Sequence, residues 1–197
     1  MNIDPNGHAW YNVLWDWANT IVGFLNPIST MTAIGAIVTS AFNGNWSGLV
    51  DDYNAGRLNP FNQDATLAGE ANVLSFYKGS TVVRQKSVGT LSVVGTLWLN
   101  TTNDYTLDHE YGHSIQERLF GPLFYIHMAI PSLIYAAFSL KYNFEDYEYY
   151  STPWERTADW LGGVERDTGY KKGSLAWGIT ENLLGPVAIA LYFMFGY

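Results

Sequence analysis

The chain has 197 residues, of which 48% are hydrophobic and 16% aromatic, enough apolar material for one folded domain and too much for a disordered one. Its formal charge of −8, with no basic stripe, excludes a nucleic-acid partner, because phosphate binding rests on clustered Lys and Arg. The absence of cysteine excludes a disulfide framework, a thiolate nucleophile and a thiolate metal site.

The first residues, MNIDPNGHAW, lack both the positive and the apolar segment of a secretory signal, and Asp4-Pro5-Asn6-Gly7 suits a turn. No charged residue occurs between Asp16 and Asp51, and the sequence IVGFLNPISTMTAIGAIVTSAF inside that gap predicts an apolar helical segment within 20–50. The length suffices to cross a bilayer, which takes about 20 apolar residues. Asn26, Ser29, Thr30 and Thr32 weaken a lipid-exposed helix, so buried core helices are expected here. Residues 51–72, rich in Asn, Asp, Gly and Pro, read as a long loop or boundary.

NVLSFYKGSTVVRQ predicts a hairpin turning at Lys78-Gly79-Ser80, and SVGTLSVVGTLWLN predicts one or two strands with Gly89 and Gly95 at turns or bulges. From Thr106, a plausible N-cap, the pattern is helical, with Leu107, Tyr111, Ile115 and Leu119 forming an apolar stripe. A second uncharged run, 119–140, contains Pro122, His127 and Pro131 and again predicts core helix, with His127 a core histidine. Then come an acidic aromatic segment, NFEDYEYYST, and a short helix in TPWERTADWLGG. Thr152 caps that helix, Pro153 opens it and Gly162-Gly163 stop it. A charged loop, ERDTGYKKGS, and an apolar C-terminal helix complete the chain.

The chemistry concentrates in residues 108–113, DHEYGH. Helical positions four apart share a face, so His109 and His113 can aim their imidazoles at one point, on the side away from Leu107 and Tyr111. That geometry predicts a wet side carrying the histidines. Zinc accepts neutral imidazole nitrogens and, in catalytic sites, keeps a position for water. Glu110, adjacent to His109, is suited to serve as the general base toward that water.

A third ligand must come from elsewhere. Glu155 is the best candidate, because Asp159 follows one turn later on the same face and can accept the free N–H of a ligating histidine. Thr152-Pro153-Trp154-Glu155 also reads as a capping box, which would turn the glutamate back to its own helix start. Glu117, Glu145, Asp146 and Glu148 are weaker candidates, and Tyr149, Tyr150 or Arg156 can supply a donor to an oxyanion.

HEYGH followed by WERTAD resembles the gluzincin class of zinc metallopeptidases. The resemblance implies an α+β, zincin-like single domain over 1–197, with a small β-sheet packed on the HExxH helix and additional apolar helices. It further implies a Zn2+ ion on His109, His113 and Glu155, Glu110 as catalytic base, Asp159 supporting a ligand, and hydrolysis of peptide bonds in a protein or peptide substrate. IDPNGHAWY is similar to the junction at which the core of Rhs-type polymorphic toxins gives way to a C-terminal effector. That likeness, confined to residues 1–10, implies a secreted carrier, delivery into a target cell and an immunity protein. The competing expectation is a membrane-active, pore-forming or inserting module that contacts lipid through 20–42 and 119–140, its histidines incidental or structural.

Overall fold

The computed structural model describes residues 10–85, 90–100, 103–142 and 146–166, and the chain forms two compact units, 1–107 and 108–197. The N-terminal turn with His8, Gly89, most of the charged loop and the apolar C-terminal helix lie outside the described residues. The architecture is mixed α+β with a small four-stranded sheet.

In the first unit, α1 (Trp10–Phe24) and α2 (Pro27–Phe42) are separated at Asn26. The Asn26 side chain accepts from the amides of Ile28 (3.0 Å) and Ser29 (3.4 Å), and Pro27 takes the first helical position, so the chain restarts a helix in a new direction. The bend between Trp17–Phe24 and Pro27–Phe42 is 63°. The expectation of buried core helices fails over 20–42: Ile21 is 49% exposed, Met31 71% and Phe42 88%. Only a narrow face holding Ser29, Ala33 and Ser40 is covered, too little to bury a segment that is apolar all round. No single described helix is long and apolar enough to cross a membrane, although the bent pair together has the length and composition.

The strands are β1 (Leu74–Tyr77), β2 (Ser80–Arg84), β3 (Leu91–Val93) and β4 (Thr96–Leu99), in the order β1-β2-β4-β3. β1 and β2 pair antiparallel, as do β3 and β4, while β2 and β4 run parallel. Both hairpins turn on two residues of positive φ, Lys78-Gly79 (46° and 78°) and Val94-Gly95 (51° and 72°), the mirror-image turn whose twist matches that of the strands. Ala33, Leu49, Val73, Leu74 and Val83 form the core of this unit.

Residues 51–72 are not the plain loop expected, because α3 (Trp46–Asn54) runs into them and α4 (Ala65–Gly69) starts on the Asp64 cap. The fully buried Asp52 organises what lies between. Its carboxylate accepts from the amides of Asn72 (2.9 Å), Val73 (2.8 Å) and Leu74 (3.0 Å) and pairs with Arg57 at 3.3 Å.

α5 (Asp104–Phe120) starts before the expected cap: Asn103, not Thr106, accepts from a first-turn amide, that of Tyr105, at 2.9 Å. Leu107, Tyr111 and Ile115 are buried as the stripe predicts, whereas Leu119 is exposed. A π-helical turn, Tyr125–Ala129, leads into α6 (Ile130–Tyr142), followed by α7 (Asp146–Tyr150) and α8 (Pro153–Gly162). The widened turn lies next to a proline. The Ile130 amide donates to Tyr125, five back, and the next residue, Pro131, has no N–H to offer the carbonyl of His127. Phe124, Met128, Tyr135 and Trp154 form the core of the second unit, so the run 119–140 is core on one face, while Leu123, Ile126, Ile130 and Leu133 are exposed on the other. α8 ends at Gly163 in the left-handed region (φ 82°), as expected, but Thr152 makes no side-chain cap.

Candidate metal centre

α5 and α8 approach each other more closely than any side chain allows. A Cβ on Gly112 would lie 1.9 Å from the carbonyl oxygen of Ala158, and one on Gly162 would lie 2.0 Å from that of Asp108. Two glycines, one on each helix, therefore bring the backbones almost into contact, and the residues flanking Gly112 face those of α8 across a short gap. The wet side expected for the histidines is accordingly closed. His109 is 5% exposed and Glu110 7%, because α8 covers that face of α5.

His109 and His113 converge on Glu155. Glu155 Oε2 lies 2.9 Å from His109 Nε2 and 3.3 Å from His113 Nε2, and the two rings meet edge to face with centroids 4.7 Å apart. One donor atom from each of the three residues falls within 4.8 Å of the others. Ligands at about 2.0 to 2.1 Å around a tetrahedral zinc ion stand about 3.4 Å apart, close to the His113–Glu155 spacing and wider than the His109–Glu155 one, so a small outward shift of Glu155 would admit such an ion.

The outward nitrogens are both engaged. His109 Nδ1 is 2.7 Å from Asp159 Oδ1, and His113 Nδ1 is 2.7 Å from Gln116 Oε1. The Gln116 amide is fixed by donating its N–H to the Trp154 carbonyl (2.9 Å), which turns its oxygen toward His113. A neutral imidazole that donates from Nδ1 presents a lone pair at Nε2. Two such lone pairs then face one carboxylate oxygen, an arrangement of acceptors alone that only a proton or a cation can satisfy. Oε1 of Glu155 is held separately, at 2.5 Å from the Ser132 hydroxyl.

In the metal-free chain protons supply that missing charge. Burial by itself lowers the pKa of His109, but hydrogen bonds to Asp159 and Glu155 and the charges of Glu155 and Glu110 outweigh it and push it up to about 10. His113 is likewise raised against its burial, chiefly by the charge of Glu155. Burial favours the neutral acid at Glu155, yet the two imidazoles hold it well below the usual carboxylate range. Burial, with nearby Glu155, Glu110 and Asp159, pushes the Tyr150 phenol up to about 12 against the opposing charge of Arg166, so it remains a donor at neutral pH.

No family model, curated protein or solved structure matches this chain. Glu155 faces the histidines instead of closing a capping box, and Asp159 reaches His109. Glu110 is buried, and its charge is felt at both imidazoles and at Tyr150. Tyr150 lies edge-on to His109 with centroids 5.3 Å apart, and Tyr149 hydrogen-bonds Ser132 at 3.0 Å. Arg156 is buried on α8, but the guanidinium over the Tyr150 ring, at 3.5 Å, belongs to Arg166, which also forks onto Asp159 at 2.5 and 2.8 Å.

Sequence reasoning missed Gln116, Ser132 and Arg166. Gln116 carried a readable signal, since it follows His113 by three positions on the same helix face. Ser132 and Arg166 carried none, one embedded in an apolar run and the other beyond the end of α8.

Proposed function

We propose that this chain is a zinc-dependent metallopeptidase of the gluzincin type, with a zincin-like fold, acting on a protein or peptide substrate. The observation that carries the reading is the confrontation of two imidazole Nε2 atoms with a single carboxylate oxygen, in a buried cluster whose outward nitrogens are already satisfied. The donor set of two imidazoles and one carboxylate fits zinc, and His109, His113 and Glu155 would hold it. A bound zinc ion would supply a Lewis acid that acidifies water and polarises a carbonyl.

The remaining work falls to the chain's own groups. Glu110, whose charge reaches both imidazoles, takes a proton from the attacking water onto its carboxylate and returns it to the departing amine nitrogen. Tyr150, protonated at neutral pH beside His109, donates its O–H to the oxyanion that develops on the substrate carbonyl. Asp159 fixes the His109 tautomer and is itself held by Arg166. The metal content of the purified chain, compared with His113→Ala, tests the centre. Proteolysis by Glu110→Gln tests the mechanism: the variant should keep its zinc and lose cleavage, and retained cleavage refutes the role of Glu110.

The likeness of IDPNGHAWY to an Rhs junction supports placing this activity in an effector tail, secreted or delivered into a target cell by a carrier and neutralised by an immunity protein. Detection of the chain as the released tail of a longer secreted product tests that placement.

A second reading is favoured by one observation, the exposed apolar surface of α1 and α2. The pair carries Ile21, Val22, Met31, Ile34 and Phe42 to solvent, with no charged residue between Asp16 and Asp51. In this reading the chain is membrane-active and inserts the bent pair into lipid. Leakage of lipid vesicles that survives both a chelator and Glu110→Gln distinguishes it from the peptidase.

A further inference from the structure

The two oxygens of Glu155 are treated differently by the fold. Oε2 faces both histidines, while Oε1 is 2.5 Å from the hydroxyl of Ser132 on α6, which in turn lies 3.0 Å from the Tyr149 hydroxyl on α7. Glu155 is wholly buried. An ionised carboxylate only accepts, and a serine hydroxyl has one hydrogen. Ser132 therefore donates to Oε1, and Tyr149, whose hydroxyl lies 3.0 Å from that of Ser132, also hydrogen-bonds Glu155. Donors from α6 and α7 thus converge on the carboxylate of the candidate ligand, with Ser132 on Oε1.

We infer that Ser132 is a positioning residue that restricts Glu155 to binding the metal through one oxygen. The inference rests on the metal-centre reading above. A carboxylate binds an ion through both oxygens only if both turn toward it, and a charge-assisted bond at Oε1 opposes that rotation. Catalytic zinc sites need a position not filled by protein, and a glutamate closing on the ion with both oxygens would fill it. Ser132 would thereby leave one position on the ion unfilled by protein, without itself touching the ion. Gln116 acts similarly on His113 from the same helix, but Ser132 reaches its ligand from an element that contributes no ligand itself.

The test uses the full chain loaded with Co(II) in place of zinc, whose visible absorption weakens as the number of donors around the ion rises. Ser132→Ala should bind one Co(II) per chain with weaker absorption than the natural chain, and Ser132→Thr, which keeps the hydroxyl, should restore it. Ser132→Val provides the isosteric partner of Ser132→Thr, so the same comparison is available if the alanine variant is too unstable to purify. An unchanged spectrum in Ser132→Ala or Ser132→Val overturns the inference, as does loss of the metal from those variants, which would make the hydroxyl a requirement for binding and not for openness. If the natural chain takes up no metal, the centre itself is refuted and this inference with it.

Discussion

Gly112 stands against Ala158 with no room for a methyl group, since a Cβ there would lie 1.9 Å from the Ala158 carbonyl oxygen. In an open helix, replacing glycine by alanine stabilises by roughly 0.5 to 1 kcal/mol. At Gly112 the sign reverses, because the obstacle is backbone and cannot rotate aside. Gly112→Ala should destabilise the chain by about 1 to 3 kcal/mol or more and abolish metal uptake, as read by denaturant unfolding and metal content. Gly35, on α2 with nothing within 4 Å, is the control, and Gly35→Ala should stabilise.

The stability of the metal-free chain should fall on both sides of a mildly acidic optimum. His109 has a folded pKa raised from 6.5 to about 10, so its contribution is complete below 6.5 and disappears as pH rises through about 10. Glu155 is lowered from 4.5, so its contribution is present above 4.5 and disappears as pH falls. Thermal unfolding with a chelator present should therefore give a higher midpoint near pH 6 than near pH 9. Zinc needs the imidazoles deprotonated, so the alkaline loss should vanish when it is added.

Zinc uptake at neutral pH should release protons, since both raised histidines must surrender theirs. Titration of the metal-free chain with zinc in weak buffer containing an indicator should show between about one and two protons per ion. Uptake without release would mean that other ligands bind the ion.

Asp159→Asn removes the anion shared by His109 and Arg166, and Gln116→Leu removes the acceptor at His113. Each should weaken zinc binding by roughly 10 to 100-fold while leaving the chain folded, as measured by competition with a chelator of known affinity. Equal affinity in both variants and the natural chain would show that the outward nitrogens do not matter.

Met31→Lys or Ile34→Lys places a charge on the most exposed stretch of α2. If that surface enters lipid, each should cost about 2.5 to 3.5 kcal/mol at the bilayer centre and abolish flotation with vesicles, with zinc content unchanged. Flotation that is unaffected removes the membrane reading.

The parts of the fold legible in the sequence were those fixed by neighbours along the chain. Lys78-Gly79 announces its hairpin because the turn itself demands positive φ, and His109 and His113 announce a shared target because a helix turns every 3.6 residues. The same spacing puts Asp159 on the face of Glu155, but Glu155 itself is a candidate because the histidine pair needs a further ligand, not because anything near it along the chain points to the histidines. What escaped depends on contacts distant in sequence. The burial of the histidine face arises from α8, 42 residues downstream at Glu155, and from two glycines whose importance lies in what they approach. Asp52 looked like loop composition, although its carboxylate gathers three amides some 20 residues away. The exposed flank of α2 was misjudged because hydropathy reports what a residue prefers, not whether the rest of the chain supplies a partner.

The widened turn at Tyr125–Ala129 makes residue count, more than residue identity, the constraint on the apolar stretch before Pro131. A π turn takes up one residue more than an α turn, and each helical residue rotates the chain by about 100°. Deleting any one of these five residues would swing Ser132 more than a quarter of the way round its helix and away from Glu155. Exchanging the exposed Ile126 for another aliphatic residue would leave that alignment intact. A segment that looks permissive to substitution is thus intolerant of a change in length.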